Sequence, residues 1–485
     1  MHLRGNIIIQ AMMNIEEFRS EAHRMADRIA DYYESVSTYP VKSKVKPGEI
    51  LDALPLQPPA DSESMGSIMA DFERILMPGI THWQSPSFFA YFPANSSYPS
   101  VLAEMLTAAL AQQGMIWETS PAATELEERV MEWMKQIFGL PEEWTGVIQD
   151  TASAATLAAL LTARERATDW NVNDNGFAAE QGLRIYCTPE THSSIEKAAK
   201  IAGYGKNNLI KVAVKADGSM DVVALEKAVG DDRKAGLKPV CVVGTLGTTG
   251  TTANDPLEAI GAICHKHSLW FHVDAAYGGT ALMLPEMRHL AAGLKYADSY
   301  VFNPHKWMFT NFDCSAYFVR DQEALIRTFS ILPEYLKTAT RGQVKDYRDW
   351  GVALGRRFRA LKLWFVIRSF GVEGLREKVR KHMELARWLS ETIEGTEGFE
   401  LLAPVNYSLV CFRYHPEAVA NEEKLNQINQ QLLQKVNETG RLYITHTKTA
   451  GKYTLRMVIA QTYVERHHVE AAWSLIRETA EQLST

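Results

Sequence analysis

Lys306 stands near the end of the stretch Asp298-Ser299-Tyr300-Val301-Phe302-Asn303-Pro304-His305-Lys306-Trp307, a short apolar strand that breaks at Asn303-Pro304 and then presents a histidine and a lysine. Open α/β sheets take their ligands at strand carboxyl ends. A lysine placed there is either a solvated cation, the ordinary case, or an amine held for Schiff-base chemistry with a carbonyl. Three other stretches bear on the choice. In Gln149-Asp150-Thr151-Ala152-Ser153-Ala154 a strand ends and a small-residue helix begins, whose free N–H groups suit a phosphate, although a simple capped helix reads the same way. In Phe271-His272-Val273-Asp274-Ala275-Ala276-Tyr277-Gly278-Gly279 an apolar strand ends in a carboxylate. Once buried, that group needs a cation, which can be an arginine, a metal or a protonated ring nitrogen; a cap on the next turn is the plainer alternative. Thr191-His192-Ser193-Ser194 puts a histidine between strand and helix, where capping is its usual role. Taken together, an amine, an anion, a stacking ring and a helix start, all just after strand ends, match what pyridoxal phosphate requires.

The elements around these stretches must form a sheet. From Gly146 onward, strand and helix patterns alternate. Strands fit Val147–Gln149, Arg184–Thr188, Leu209–Val214, Val240–Gly244, Ser268–Val273, Ser299–Phe302 and Ser315–Val319. The spacing predicts helices over Ser153–Arg166, Ser193–Ala202, Val222–Val229, Pro256–His267 and Asp321–Ser330, which makes an α/β domain with a mostly parallel sheet. Before it, Asn14 and Glu17 form a capping-box pair for a helix whose apolar face runs through Ile15, Phe18, Ala22, Met25, Ile29 and Tyr33. A proline-rich extended piece and a second helix, Ser64–Leu76, complete an arm over residues 1–97 that needs another surface to lie on. The large domain runs over 98–372, with a helix from Gly355 ended by Gly371, and residues 373–485 form a smaller α+β domain. Residues 331–350 lack periodicity and form a long loop. The aromatic stretch Thr81–Pro93 reads as a buried connector by composition, and Arg356, Arg357, Arg359 and Lys362 read as a solvated or inter-domain face.

Composition narrows the classes. With 58 acidic and 51 basic residues the net charge is -7, which disfavours nucleic acid or an anionic membrane as the main partner. Five scattered cysteines form no disulfide or zinc pattern and suit a reducing cytoplasm. Cys264-His265-Lys266-His267 fans around a helix and cannot converge on a metal, so no metal is expected.

The stretches T-H-W-Q-S-P-S-F-F-A-Y-F-P, S-P-A-A-T-E-L-E, T-L-G-T-T, H-V-D-A-A-Y, N-P-H-K-W, N-F-D-C-S-A and L-G-R-R-F-R, in this order over nearly the whole chain, resemble the group II pyridoxal-phosphate-dependent amino-acid decarboxylases, closest to the aromatic-L-amino-acid decarboxylase branch. The resemblance implies a fold type I, aminotransferase-like architecture and a homodimer with sites at its interface. It implies that Lys306 bonds the cofactor aldehyde, that Asp274 pairs with its ring nitrogen, that His192 and Ala276 flank the ring, and that Ala152, Ser153, Ser299 and His305 hold the phosphate, with Thr248 near the ring. It places Trp83, Tyr91, Phe92 and Pro93 in the substrate pocket, against the connector reading, and adds Gln113 and Met115 from the partner's wall and Gly355, where glycine leaves room for an indole or catechol ring. Gln113 and Met115 depart from the isoleucine and phenylalanine of the family's animal members, and Asp150-Thr151 from the family's usual glycine and serine; Arg456 resembles an arginine near the cofactor. Tyr335 resembles the loop tyrosine to which protonation at Cα is assigned. The implied reaction is decarboxylation of tryptophan, DOPA, 5-hydroxytryptophan or phenylalanine to the arylalkylamine. An aromatic aldehyde synthase is the near rival and a fold type I aminotransferase the further one.

Overall fold

The computed structural model describes residues 13–179, 182–331 and 343–483. Seven strands form one sheet: β1 (Thr145–Gln149), β2 (Leu183–Cys187), β3 (Leu209–Lys211), β4 (Lys238–Thr245), β5 (Trp270–Asp274), β6 (Ser299–Phe302) and β7 (Ser315–Val319). Their spatial order is β1-β7-β6-β5-β4-β2-β3. Only β7 runs against its neighbours, so β1 points the same way as β6. Strands β5, β6 and β7 are buried along their whole length, because helices cover both faces and an unbroken apolar run is what such a strand needs. Register does the positioning. Asp274 lies level with Thr245 on β4 and Val301 on β6, while Gln149 faces Ser315 and Phe302 faces Ala316. The carboxyl ends of β1, β4, β5 and β6 therefore open on one edge.

A second, antiparallel sheet runs β10-β11-β9-β8, built from β8 (Phe399–Leu401), β9 (Leu409–Tyr414), β10 (Thr445–Thr449) and β11 (Lys452–Val458). Strand β10 carries no apolar pattern. Its sequence, Thr-His-Thr-Lys-Thr, alternates half-buried and exposed on a sheet edge, so hydrophobic periodicity cannot reveal it.

The arm begins as expected. Asn14 Oδ1 accepts from the Glu16 and Glu17 N–H groups, and Glu17 accepts from the Asn14 N–H. Its helix, Ile15–Ser35, buries no residue, and Ile15 and Phe18 stay exposed. Two expectations need correction. The helix predicted from Gly355 starts only at Arg359; Gly371, at φ +67° and ψ 164°, ends it as expected, and the chain turns there directly into a second helix that runs to Glu394. The basic stretch is also not a solvated face. Arg356 pairs with Glu127 at 2.6 Å, Arg359 with Asp313 at 2.8 Å, and Lys362, 1% exposed, with Glu104 at 2.8 Å. Buried cations need such partners.

Candidate active site

A cavity of about 210 Å³ opens at the common strand edge. Lys306, Asp274, His192, Ala276, His305, Ala152 and Ser153 all line it, together with Phe92. Each arrives at the end of a strand: Ala152 and Ser153 after β1, His192 after β2, Asp274 and Ala276 at the end of β5, His305 and Lys306 after β6.

Lys306 sits in a one-turn helix, Pro304–Trp307, opened by proline, whose missing N–H is no loss there. Asn303 anchors that turn: its N–H donates to the Ala276 carbonyl at 3.1 Å and its Oδ1 accepts from Ser315 at 2.6 Å. From the far side, the buried Asn95 amide donates to the Lys306 carbonyl at 2.6 Å and to the Ala460 carbonyl at 2.7 Å, tying the arm, the lysine turn and the second sheet together. Below the turn, Phe92 stacks on Tyr277 at 3.9 Å, and Tyr277 on Trp307 at 4.9 Å. The left-handed φ of Tyr91, 53°, sends Tyr91 outward to Tyr443 and turns Phe92 inward, 5.2 Å from the Lys306 amine.

The electrostatics suit an amine at work. Burial pulls the Lys306 ammonium below its ordinary pKa, and the nearby Asp274 carboxylate opposes that shift. Asp274 is 4% exposed and accepts from the Ala276 N–H at 3.0 Å. Among the described residues it makes no ion pair with Lys306, although both face one cavity. A buried carboxylate and an amine left apart in this way leave room for a group that satisfies both. At the phosphate end, Thr151 caps the helix Ala152–Ala167 by accepting from the Ala154 N–H at 3.3 Å. The Ala152 and Ser153 N–H groups have no partner among the described residues, so they remain available to an anion. His305 accepts from the Cys314 N–H through Nδ1 at 2.9 Å, and burial with the neighbouring Lys306 charge lowers it to about 3.

Several expected residues lie elsewhere. Ser299, at the amino end of β6, is fully buried and accepts from the Trp270 indole at 2.9 Å beside the His272 Nδ1, also at 2.9 Å, so it supports His272 two residues before Asp274 and takes no part in the cavity. Thr248 is turned away by Gly247, φ +82°, and its hydroxyl accepts from the Ala253 N–H at 3.0 Å; Thr245, Gly247 and Thr249 line the cavity instead. Of the four aromatic-wall residues only Phe92 lines it. Trp83 packs on Phe88 at 4.4 Å and on Tyr91, and Pro93 is buried without facing the cavity. Gln113 and Gly355 meet each other away from the cavity, where the Gln113 Oε1 accepts from the Arg356 N–H at 2.7 Å, and Met115 accepts through its carbonyl from Arg348. Tyr335 lies outside the described residues.

The sequence singled out Arg456 without giving it a role. Arg456, 4% exposed on β11, donates to the carbonyls of Thr249 at 2.7 Å and Gly250 at 2.8 Å, and so holds the loop that carries Thr249. A lone arginine inside the apolar run Leu455-Arg456-Met457-Val458 was the signal for a buried anchor.

The buried histidines give the fold a pH dependence of definite sign. Burial holds His272 at about 4, His305 at about 3 and His382 at about 3, so all three stay neutral in the folded chain. Unfolded, each gains a proton below about pH 6.5. Asp255, raised by burial to about 6, acts oppositely and releases one. At about pH 5 these four groups together take up about two protons net on unfolding, and the stability they contribute above about pH 6.5 falls on acidification by about 3 kcal/mol per pH unit. Urea midpoints measured across this range should drop steeply, and His382→Gln should remove about one proton from the slope. A midpoint flat down to about pH 5 contradicts the assignment.

The model of the pyridoxal-dependent decarboxylase conserved domain matches residues 47–415. Tyrosine decarboxylase 4 of Petroselinum crispum is 42% identical over 481 residues, which cover 96% of this chain and 94% of that protein. Phenylacetaldehyde synthase of Arabidopsis thaliana is 41% identical over 481 residues, with 97% of each chain covered. A crystal structure of Oryza sativa TDC with PLP and tryptamine superposes with a TM-score of 0.95 at 37% identity, over 98% of this chain and 100% of the other.

Proposed function

The chain belongs to the pyridoxal-dependent decarboxylases, and from that premise we propose that its substrate is an aromatic L-amino acid, released as the arylalkylamine and carbon dioxide. The enzyme is a pyridoxal-phosphate-dependent carboxy-lyase of fold type I. The observation that carries the reading is the separated pair, Lys306 and Asp274, in a cavity floored by the Phe92 ring. Relatives named for tyrosine and phenylacetaldehyde, and a similar solved structure that holds tryptamine, support an aromatic side chain.

The residues present fit the cofactor. Lys306 would hold its carbonyl, Asp274 its ring nitrogen, His192 and Ala276 its two faces, and the Ala152 and Ser153 N–H groups with His305 its phosphate. Bound pyridoxal phosphate supplies a sink for the electron pair left on Cα when carbon dioxide departs. The protein does the rest. Burial keeps more of the Lys306 amine unprotonated and therefore nucleophilic. The Asp274 charge holds a proton on a ring nitrogen opposite it. The stacked Phe92 and Tyr277 give the floor a flat apolar surface that excludes water.

The arm supports a homodimer. Ile15 and Phe18 on one helix, and Leu102, Leu106 and Leu110 on the helix Tyr98–Leu110, are exposed and need a cover. Gln113, Met115 and Gly355, set apart from this chain's own cavity, then serve as a wall offered to the neighbour's. Five unpaired, buried cysteines support a cytoplasmic setting.

The identity to a phenylacetaldehyde synthase favours one rival, in which oxygen is consumed and the aldehyde, ammonia and peroxide are released with carbon dioxide. Tyr335 decides between them, as the residue that returns a proton to Cα. The wild-type enzyme should convert tryptophan, DOPA, 5-hydroxytryptophan or phenylalanine to amine without oxygen uptake, and Tyr335→Phe should lose amine and gain aldehyde and peroxide. Unchanged amine yield in that variant removes Tyr335 from the role. Arg456→Met should release the Thr249 and Gly250 carbonyls, weaken cofactor retention about tenfold and lower the thermal midpoint, because buried acceptors lose charged donors. Equilibrium titration of the apoenzyme with pyridoxal phosphate measures this, and wild-type affinity contradicts it.

A further inference from the structure

His192 lines the cavity and also caps the helix Ser193–Ile201. Its Nδ1 accepts from the Ser194 backbone N–H at 3.2 Å and lies 2.8 Å from the Ser194 hydroxyl. A backbone N–H can only donate, so Nδ1 carries no proton, and the hydroxyl beside it must donate as well. The proton of a neutral imidazole then sits on Nε2, which has no partner among the described residues. The surroundings favour the neutral ring: burial lowers its pKa and the Lys306 charge adds to that, with Asp274 opposing. Putting a proton on Nδ1 would face two donors and uncap the helix. Ser194 is itself buried, 7% exposed, and lines the cavity, so its hydroxyl faces little competition from water.

We propose that Ser194 is a positioning residue that fixes His192 as the neutral tautomer protonated on Nε2, so that the ring offers the cavity a hydrogen-bond donor and no base. The group it takes is an acceptor oxygen of the bound ligand, such as a carboxylate oxygen. This rests on the decarboxylase reading for its chemistry, but the tautomer is a property of the chain and is measured apart from turnover. The capping bonds make His192 unable to pass protons by alternating its two nitrogens, so proton return to Cα belongs to another group.

The test is nitrogen NMR of holoenzyme labelled with 15N-histidine, with His192 assigned by the signal missing in His192→Gln. Through the neutral pH range Nδ1 should show the shift of an unprotonated ring nitrogen and Nε2 that of a protonated one. A protonated Nδ1, or two protonated nitrogens, overturns the proposal whatever the substrate proves to be. Ser194→Ala keeps the backbone donor and loses the hydroxyl. It should raise the His192 pKa and lower kcat about fivefold with KM nearly unchanged, and Ser194→Thr should restore both. If Ser194→Ala leaves the His192 titration and kcat at wild-type values, Ser194 has no positioning role. A Ser194→Ala loss that Ser194→Thr does not recover points to packing and likewise overturns it.

Discussion

Lys306→Ala should abolish decarboxylation, by about 10³-fold or more, while the protein folds and still collects the cofactor weakly. The size follows from what the residue supplies. Its amine is held by a turn anchored through Asn303 to Ala276 and Ser315, and through the Lys306 carbonyl to Asn95, so the reacting nitrogen is placed before any ligand arrives. Burial also lowers its proton affinity, which a free amine in solution does not match. Alanine removes both advantages at once. Lys306→Arg separates them from charge. It keeps a cation beside Asp274 but presents a guanidinium that does not add to a carbonyl, so it should be as inactive as alanine. Activity of the arginine variant within about tenfold of wild type would mean that Lys306 acts as a counter-charge only.

Asp274→Asn should lower kcat by about 10²–10³-fold with a smaller change in KM. Asparagine has nearly the same shape, and its Oδ1 can still accept from the Ala276 N–H that Asp274 holds at 3.0 Å. Only the charge is lost. The position is 4% exposed, and no other carboxylate among the described residues lines the cavity, so water and these neighbours do not replace it. A neutral residue there no longer favours a proton on the ring nitrogen opposite, and the electron sink becomes shallow. The visible absorbance of bound cofactor should shift with it. A kcat within about threefold of wild type would show that Asp274 is a structural cap on the turn to Ala276.

Much of this site is legible in the sequence because it lies at strand ends. Strands β6 and β7 match their predicted bounds, since each is an apolar run closed by turn residues. Lys306, Asp274, His192, Ala152 and Ser153 each follow such a run directly. What could not be read depends on side-chain direction or on distant contacts. Ser299 sits at the wrong end of β6, and no motif announces which end of a strand a serine serves. Thr248 is lost to a single left-handed glycine, Gly247. Asn95 reaches Lys306 across 211 positions and Ala460 across 365, so its role has no local signal, and Arg456 reaches Thr249 across 207, so the apolar run around it marks a buried anchor but not what it holds. The buried pairs of Arg356, Arg359 and Lys362 are hidden in the same way, because a charge run has one appearance whether its partners are water or carboxylates.

The most direct test of the account is borohydride reduction of the holoenzyme followed by peptide mapping. The cofactor should be fixed on Lys306 alone, in the peptide carrying Asn303-Pro304-His305-Lys306-Trp307, with no label in Lys306→Arg. A label on any other lysine, or a coloured enzyme that takes no label, would contradict the assignment of Lys306 and the chemistry built on it.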